Sequence, residues 1–202
     1  MRIGILGGTF NPPHLAHLVL AECARDALGL DRVLLVPAAR PPHKAVDGEP
    51  GAEERLELCR LAADGEPALE VADLELRRDG PSYTADTLAA LAEERPGAEL
   101  VLLLGGDAAA ALPTWHRPDD VVAHAAIGVA ERGEDGHAHV RAALARLGAE
   151  DRLRPFEMPA LAISSTLVRA RIRAGRTIHH LVPRPVEQRI VARGLYRVAG
   201  TP

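Results

Sequence analysis

The chain has 202 residues, 47% of them hydrophobic, which is enough to bury a substantial core. Its longest apolar run, Leu100 to Leu104, is far too short to cross a bilayer, and two cysteines exclude a disulfide framework. A formal net charge of -4 and only 2% aromatic residues argue against a protein that binds nucleic acid.

The first element is a short apolar strand pattern, Ile3 to Leu6, followed by GGTFNPPHLAH at 7–17 and a helical pattern over about 14–28. A strand, a Gly-rich turn and a helix start form a place where an anion can sit, because backbone N–H groups converge and the helix dipole favours negative charge. Spacing rules out two common phosphate motifs. No Lys follows Gly7 or Gly8 as in a P-loop, and Gly4, Gly7 and Gly8 do not fit G-x-G-x-x-G. Asn11 is placed to cap the helix, with Pro12 and Pro13 in positions that need no N–H. His14 and His17, three apart, then share one helix face, and Leu15, Val19 and Cys23 share another directed at the sheet.

Further apolar runs at Val33–Val36, Leu69–Val71, Leu100–Leu104 and Ala126–Ala130 read as strands buried on both faces. Helical patterns near 52–64, 84–95, 108–112, 118–124 and 136–147 alternate with them. The alternation predicts an α/β fold, a mostly parallel Rossmann-like sheet with helices on both faces. Segment 38–51, rich in Pro and Gly, reads as a mobile flap. In GPSYTADTL at 80–88, Ser82 or Thr84 is placed to cap a helix, and Trp115, the only Trp, follows Pro113-Thr114 in a loop.

Near the C-terminus, Ser164 and Ser165 are cap residues for a helix whose free N–H groups point outward, and Arg169 lies four residues after Ser165 on the same face. Hydroxyls, amides and a guanidinium together suit phosphate oxygens. Residues 164–198 hold eight arginines against the single acid Glu187, most of which read as a solvated basic face. The N-terminus has no signal-peptide pattern and the two thiols lack metal-ligand spacing, so a cytoplasmic protein is expected.

GGTFNPPHLAH resembles the GGTF-[DN]-P-x-H-x-G-H motif of the nucleotidyltransferases related to class I aminoacyl-tRNA synthetases. Within that group the chain is most similar to the bacterial nicotinate-nucleotide adenylyltransferases, through PPHK at 41–44, GPSYTADTL at 80–88, LGGDAAAALPTWH at 104–116 and ISSTLVRARIRAG at 163–175. Ala16 departs from the family pattern, which usually has Gly, and Arg189 stands where Tyr is common. The resemblance implies one nucleotidyltransferase domain over 1–202, with a small helical C-terminal part from about 160. It also implies transfer of an adenylyl group from ATP to nicotinate mononucleotide, giving nicotinate adenine dinucleotide and pyrophosphate, a step in NAD biosynthesis.

By the same resemblance ATP meets Gly7, Gly8, Thr9, Phe10, His14, His17, Gly105, Asp107, Ile163, Ser164, Ser165, Thr166 and Arg169, with His14, His17 and Arg169 catalytic. The mononucleotide meets Lys44, Tyr83, Thr84 and Trp115, the indole stacking on the pyridinium. Mg²⁺ is expected to arrive with ATP, held by phosphate and water rather than by a protein cage. ATP and the mononucleotide are the expected partners, with no nucleic acid and no membrane; homo-oligomerisation is left open. Another adenylyltransferase of the group, or a nucleotide sensor without catalysis, would share both ATP motifs; GPSYTADTL and Trp115 favour the pyridine acceptor.

Overall fold

The computed structural model describes residues 1–41, 50–131 and 137–197. Six strands form one fully parallel sheet in the order β3-β2-β1-β4-β5-β6. They are β1 (Arg2–Gly8), β2 (Arg32–Pro37), β3 (Leu69–Val71), β4 (Glu99–Gly105), β5 (Ala125–Glu131) and β6 (Leu153–Glu157). Between and after them run α1 (Leu15–Leu28), α2 (Ala52–Ala63), α3 (Thr84–Glu94), α4 (Gly106–Ala110), α5 (Pro118–His124), α6 (His137–Ala145), α7 (Ser165–Arg173) and α8 (Arg184–Arg193). The predicted alternation is therefore observed, with β6 as an addition.

Alternate strand residues feed two cores. Ile3, Ile5, Leu34, Val36, Leu102 and Ile127 pack with Leu88 and Leu91 of α3, Val121 of α5 and Leu144 of α6. On the opposite face Val33, Leu35, Val101 and Leu103 pack with Ala21 and Ala24 of α1 and Cys59 of α2. Both faces are covered, which is why the strands are continuous apolar runs rather than alternating ones. A third cluster joins Leu58 and Ala62 of α2 to Val168 of α7 and to Val186 and Ile190 of α8. The C-terminal helices thus lean on α2 rather than on the sheet.

Two local expectations are corrected. Helix α1 begins at Leu15, and its N-cap is His14 in an extended conformation (φ -146°, ψ 169°), not Asn11. A residue before proline is pushed out of the α region, and Asn11 and Pro12 both precede one, so the helix waits until the prolines are passed. The sheet-facing side of α1 is carried by buried Ala21 and Ala24 with half-buried Leu20, Cys23 and Leu28; of the expected stripe Cys23 packs on this core and Leu15 and Val19 do not. Small alanines let the helix lie close, whereas a pattern weighted by large apolar residues picks the wrong stripe. The N–H of Leu15 instead donates to Leu181 O at 3.0 Å, tying this end to the C-terminal part.

The order of strands reverses between β1 and β4, whose carboxyl ends carry Gly7-Gly8 and Gly105. In open parallel sheets a crevice opens at that position.

Candidate active site

His14 and His17 stand side by side at the opening of α1, ring centroids 3.7 Å apart and planes inclined by 22°. The backbone N–H of His14 donates to His17 Nδ1 at 3.1 Å. That bond makes Nδ1 the acceptor, so the proton of a neutral His17 sits on Nε2. Phe10, buried and in the left-handed region at φ 47°, meets the His17 ring edge-on at 4.9 Å. His14 is 6% exposed, and its Nδ1 is buried without a hydrogen-bond partner among the described residues. Burial lowers the His14 imidazole to about 4; burial and the neighbouring His14 lower His17 to about 3. Both rings are neutral N–H donors in the ligand-free protein at neutral pH.

The C-terminal motif is brought onto the same turn from more than 150 residues away. Ser165 Oγ donates to Pro12 O at 2.8 Å, and Arg169 Nη1 donates to Asn11 O at 2.7 Å. Arg169 Nη2 reaches Thr166 Oγ1 at 3.4 Å. Ser164 is the N-cap of α7, its side chain accepting from Leu167 N at 3.1 Å, as the sequence predicts. Ser165 is the first helical residue and has a tertiary role instead. Ile163 precedes the cap and is half-buried.

A cavity opens beside this turn, walled by Gly7, Gly8, Thr9, Tyr83, Thr84, Trp115 and His116. Tyr83 and His116 stack with centroids 4.0 Å apart. The residues expected around the mononucleotide therefore share one cavity with the glycine turn. Lys44, and with it most of the predicted flap, lies outside the described residues. Gly105 and Asp107 are exposed at the end of β4 and the start of α4, at the strand-order reversal. Neither Ser82 nor Thr84 caps α3. The N-cap is Tyr83, and Ser82 Oγ accepts from the N–H groups of Ala39 and Arg40 at 3.0 and 3.2 Å. Loop 38–40 needed those acceptors more than the helix did.

The cytidylyltransferase-like family profile matches residues 5–171, which is most of the chain and includes both His14-His17 and Arg169. The chain belongs to the cytidylyltransferase-like family. A probable nicotinate-nucleotide adenylyltransferase of Salinibacter ruber is 40% identical over 98% of this chain and 98% of its own length. One from Chromohalobacter salexigens is 44% identical over 96% and 95%. The fold is shared with the Plasmodium falciparum nicotinic acid mononucleotide adenylyltransferase solved with NaAD, at a TM-score of 0.76 and 19% identity, covering 96% and 97% of the two chains.

Two buried polar residues of this cytidylyltransferase-like chain escape sequence reasoning. Arg55, 1% exposed, donates to Thr9 O at 2.7 Å, Ala38 O at 2.6 Å and Ala39 O at 3.2 Å. Glu75, 7% exposed, lines the cavity and accepts from Thr87 Oγ1 at 2.6 Å; burial pushes its carboxyl upward. Among charged residues spread along amphipathic segments, nothing local marks these two as buried. Cys59 is fully buried and its thiol is pushed up to about 12, which suits a packing role. Among the described residues no group of three or more His, Cys, Asp or Glu is arranged to hold a metal, and no helix is long and apolar enough to cross a membrane.

Proposed function

We propose that this chain transfers the adenylyl group of ATP to the phosphate of nicotinate mononucleotide, releasing pyrophosphate and forming nicotinate adenine dinucleotide. The observation that carries the reading is the convergence of His14, His17, Ser165 and Arg169 on one turn at the strand-order reversal, beside a cavity walled by Tyr83 and Trp115. Relatives about 40% identical over nearly the full length, described as probable nicotinate-nucleotide adenylyltransferases, support the same reaction.

The attacking phosphate is already an anion, so no general base is required, and neither cysteine serves as a nucleophile. The task is to bring two anions together in line at the α-phosphorus, which makes positioning and electrostatic stabilisation the main source of acceleration. The Nε2–H of His17 and the ring of His14 meet oxygens of the α-phosphoryl group. They donate as neutral imidazoles; the growing negative charge strengthens those bonds and draws the rings toward protonation. Arg169, anchored through one nitrogen to Asn11 O, has donors left for the departing pyrophosphate, helped by the free amides at the start of α7. Gly105 and Asp107 lie where β4 ends and suit the adenosine side. On the other side, the indole of Trp115 offers its face to the pyridinium. Among the described residues no cluster of His, Cys, Asp or Glu could hold a metal ion, so a Mg²⁺ accompanying the triphosphate would be held by phosphate oxygens and water and would offset the triphosphate's charge.

The test is pyrophosphate release with ATP and a panel of acceptors: nicotinate mononucleotide, nicotinamide mononucleotide and phosphopantetheine, with His17→Ala as the matched variant. Nicotinate mononucleotide should be preferred, and His17→Ala should lower kcat by more than about 100-fold while staying folded. Release with none of the acceptors, or best with phosphopantetheine, would overturn the assignment.

A further inference from the structure

Arg55 occupies a position that local chemistry disfavours twice. It lies in the first turn of α2, beside Glu53 and Glu54, where the helix dipole favours acids and opposes a cation. It is also 1% exposed and makes no ion pair among the described residues, and a buried unpaired charge is costly. Its Nε has no partner among the described residues, and burial lowers its pKa below that of an ordinary guanidinium. Breaches of local preference of this kind are characteristic of sites kept for function.

What the guanidinium gains is a bridge between two loops. Where β1 and β2 end, Ala38 N donates to Gly8 O at 2.9 Å. Immediately beyond that bond Arg55 Nη1 holds Thr9 O on one loop and Ala38 O on the other, while Nη2 holds Ala39 O. The amides of the second loop are taken by Ser82 Oγ, one residue before the cavity-lining Tyr83 and Thr84. The turn that carries the imidazoles is thereby tied, through 38–40, to the wall facing Trp115. We propose that Arg55 is a positioning residue for adenylyl transfer: its guanidinium locks the turn after β1 and the loop after β2 at one separation, and so sets the distance between the two reacting phosphates. The proposal rests on the adenylyltransferase reading above, and it concerns geometry, since Arg55 lies behind the loops and itself touches no substrate.

Arg55→Lys and Arg55→Met test it in the full-length protein by steady-state kinetics, thermal melting and comparison with wild type. A lysine keeps the charge but lacks the planar fork that spans carbonyls on two loops. Both variants should lose about 100-fold in kcat, the scale of a misplacement near 1 Å, with each substrate's KM within about threefold of wild type. A purely structural role would lower the melting temperature and leave kcat per folded molecule intact; a purely electrostatic role would let Arg55→Lys recover wild-type kcat. Either result would overturn the proposal. A crystal structure of the wild-type protein with nicotinate adenine dinucleotide decides the matter even if the variants do not fold. Arg55 should remain on Thr9 O and Ala38 O, and a guanidinium turned onto a phosphate would refute the positioning role. Wild-type protein that releases no pyrophosphate would count against the assigned reaction, while that crystal structure still judges the bridge.

Discussion

Gly7 shows how a residue can be constrained by something other than the protein. Among the described residues, its two chain neighbours apart, no atom lies within 4 Å of where its Cβ would stand, and it does not have the positive φ that favours glycine. Neither packing nor backbone conformation requires a glycine there, yet Gly7 lines the cavity. The proposed ATP contact supplies a reason, the close approach of a ligand to the backbone. Gly7→Ala should therefore fold with unchanged or slightly raised stability, since alanine narrows the unfolded ensemble. Its KM for ATP or for the mononucleotide should rise at least about tenfold, the effect of roughly 1.4 kcal/mol of lost binding. Denaturant unfolding and steady-state kinetics measure the two halves; unaltered KM values would show that no ligand passes over Gly7. The same logic explains which site residues could be read from the sequence. His14, His17 and Arg169 sit in compact motifs, GGTFNPPHLAH and ISSTLVRARIRAG, that single them out as candidates through a family resemblance without the fold. Arg55 and Glu75 acquire meaning only from burial, which depends on loops and helices distant in the chain.

At the level of elements, the strands buried on both faces were the most legible part, because their apolar runs are short, continuous and bounded by turns. Strand β6 was not legible. It is an edge strand paired only with β5, and its sequence LRPFE exposes Arg154, Pro155 and Glu157. A proline is tolerated on an edge, where one side needs no ladder bond, but in a sequence it argues against a strand. Helices α1 and α3 begin within a residue of where the pattern put them, but their caps were misassigned for a related reason: a cap is chosen by competition, and prolines or a neighbouring loop can outbid the nearest polar side chain. Gly128 in β5 presents the opposite case to Gly7. A Cβ there would come within 2.8 Å of Leu103 Cδ2 and 3.1 Å of Val101 Cγ1 on β4, and within 3.3 Å of Leu28 Cδ1 on α1, so the glycine leaves room chiefly for the β4 side chains. Gly128→Ala should destabilise the fold by about 1–3 kcal/mol, the usual cost of overpacking. Urea unfolding measures this, and kcat per folded molecule should not change, since the residue is remote from the cavity. Full stability in the variant would mean that the ends of the Leu103 and Val101 side chains turn aside at no cost.

Across the whole molecule, residues from both ends of the chain are gathered on one side of the sheet by α2, which holds α7 and α8 through Leu58 and Ala62. Arg189 of α8 makes a two-pronged bond to Glu54 of α2, 2.7 and 3.1 Å long. Assembling the imidazole pair in this frame has a thermodynamic consequence. Burial lowers His14 to about 4 and His17 to about 3, from 6.5. Between pH 6.5 and about 3 the unfolded chain therefore binds protons that the native state refuses. Stability must fall as pH drops through that window, by at most about 1.4 kcal/mol per pH unit for each proton. Glu54, held low by its bond to Arg189, acts in the same direction, since its contribution is present above its unfolded pKa and is lost in acid. Glu75 opposes them: burial raises its carboxyl, so its contribution is present at low pH and is lost as pH rises through its folded pKa. The double variant His14→Asn, His17→Asn isolates the imidazoles, because it leaves both carboxyls in place. Urea midpoints at pH 7.0, 5.5 and 4.5 should fall steeply for wild type and clearly less for the variant. Parallel curves would show that the two rings take up protons freely in the native state, with pKa values near the ordinary 6.5 rather than lowered by burial.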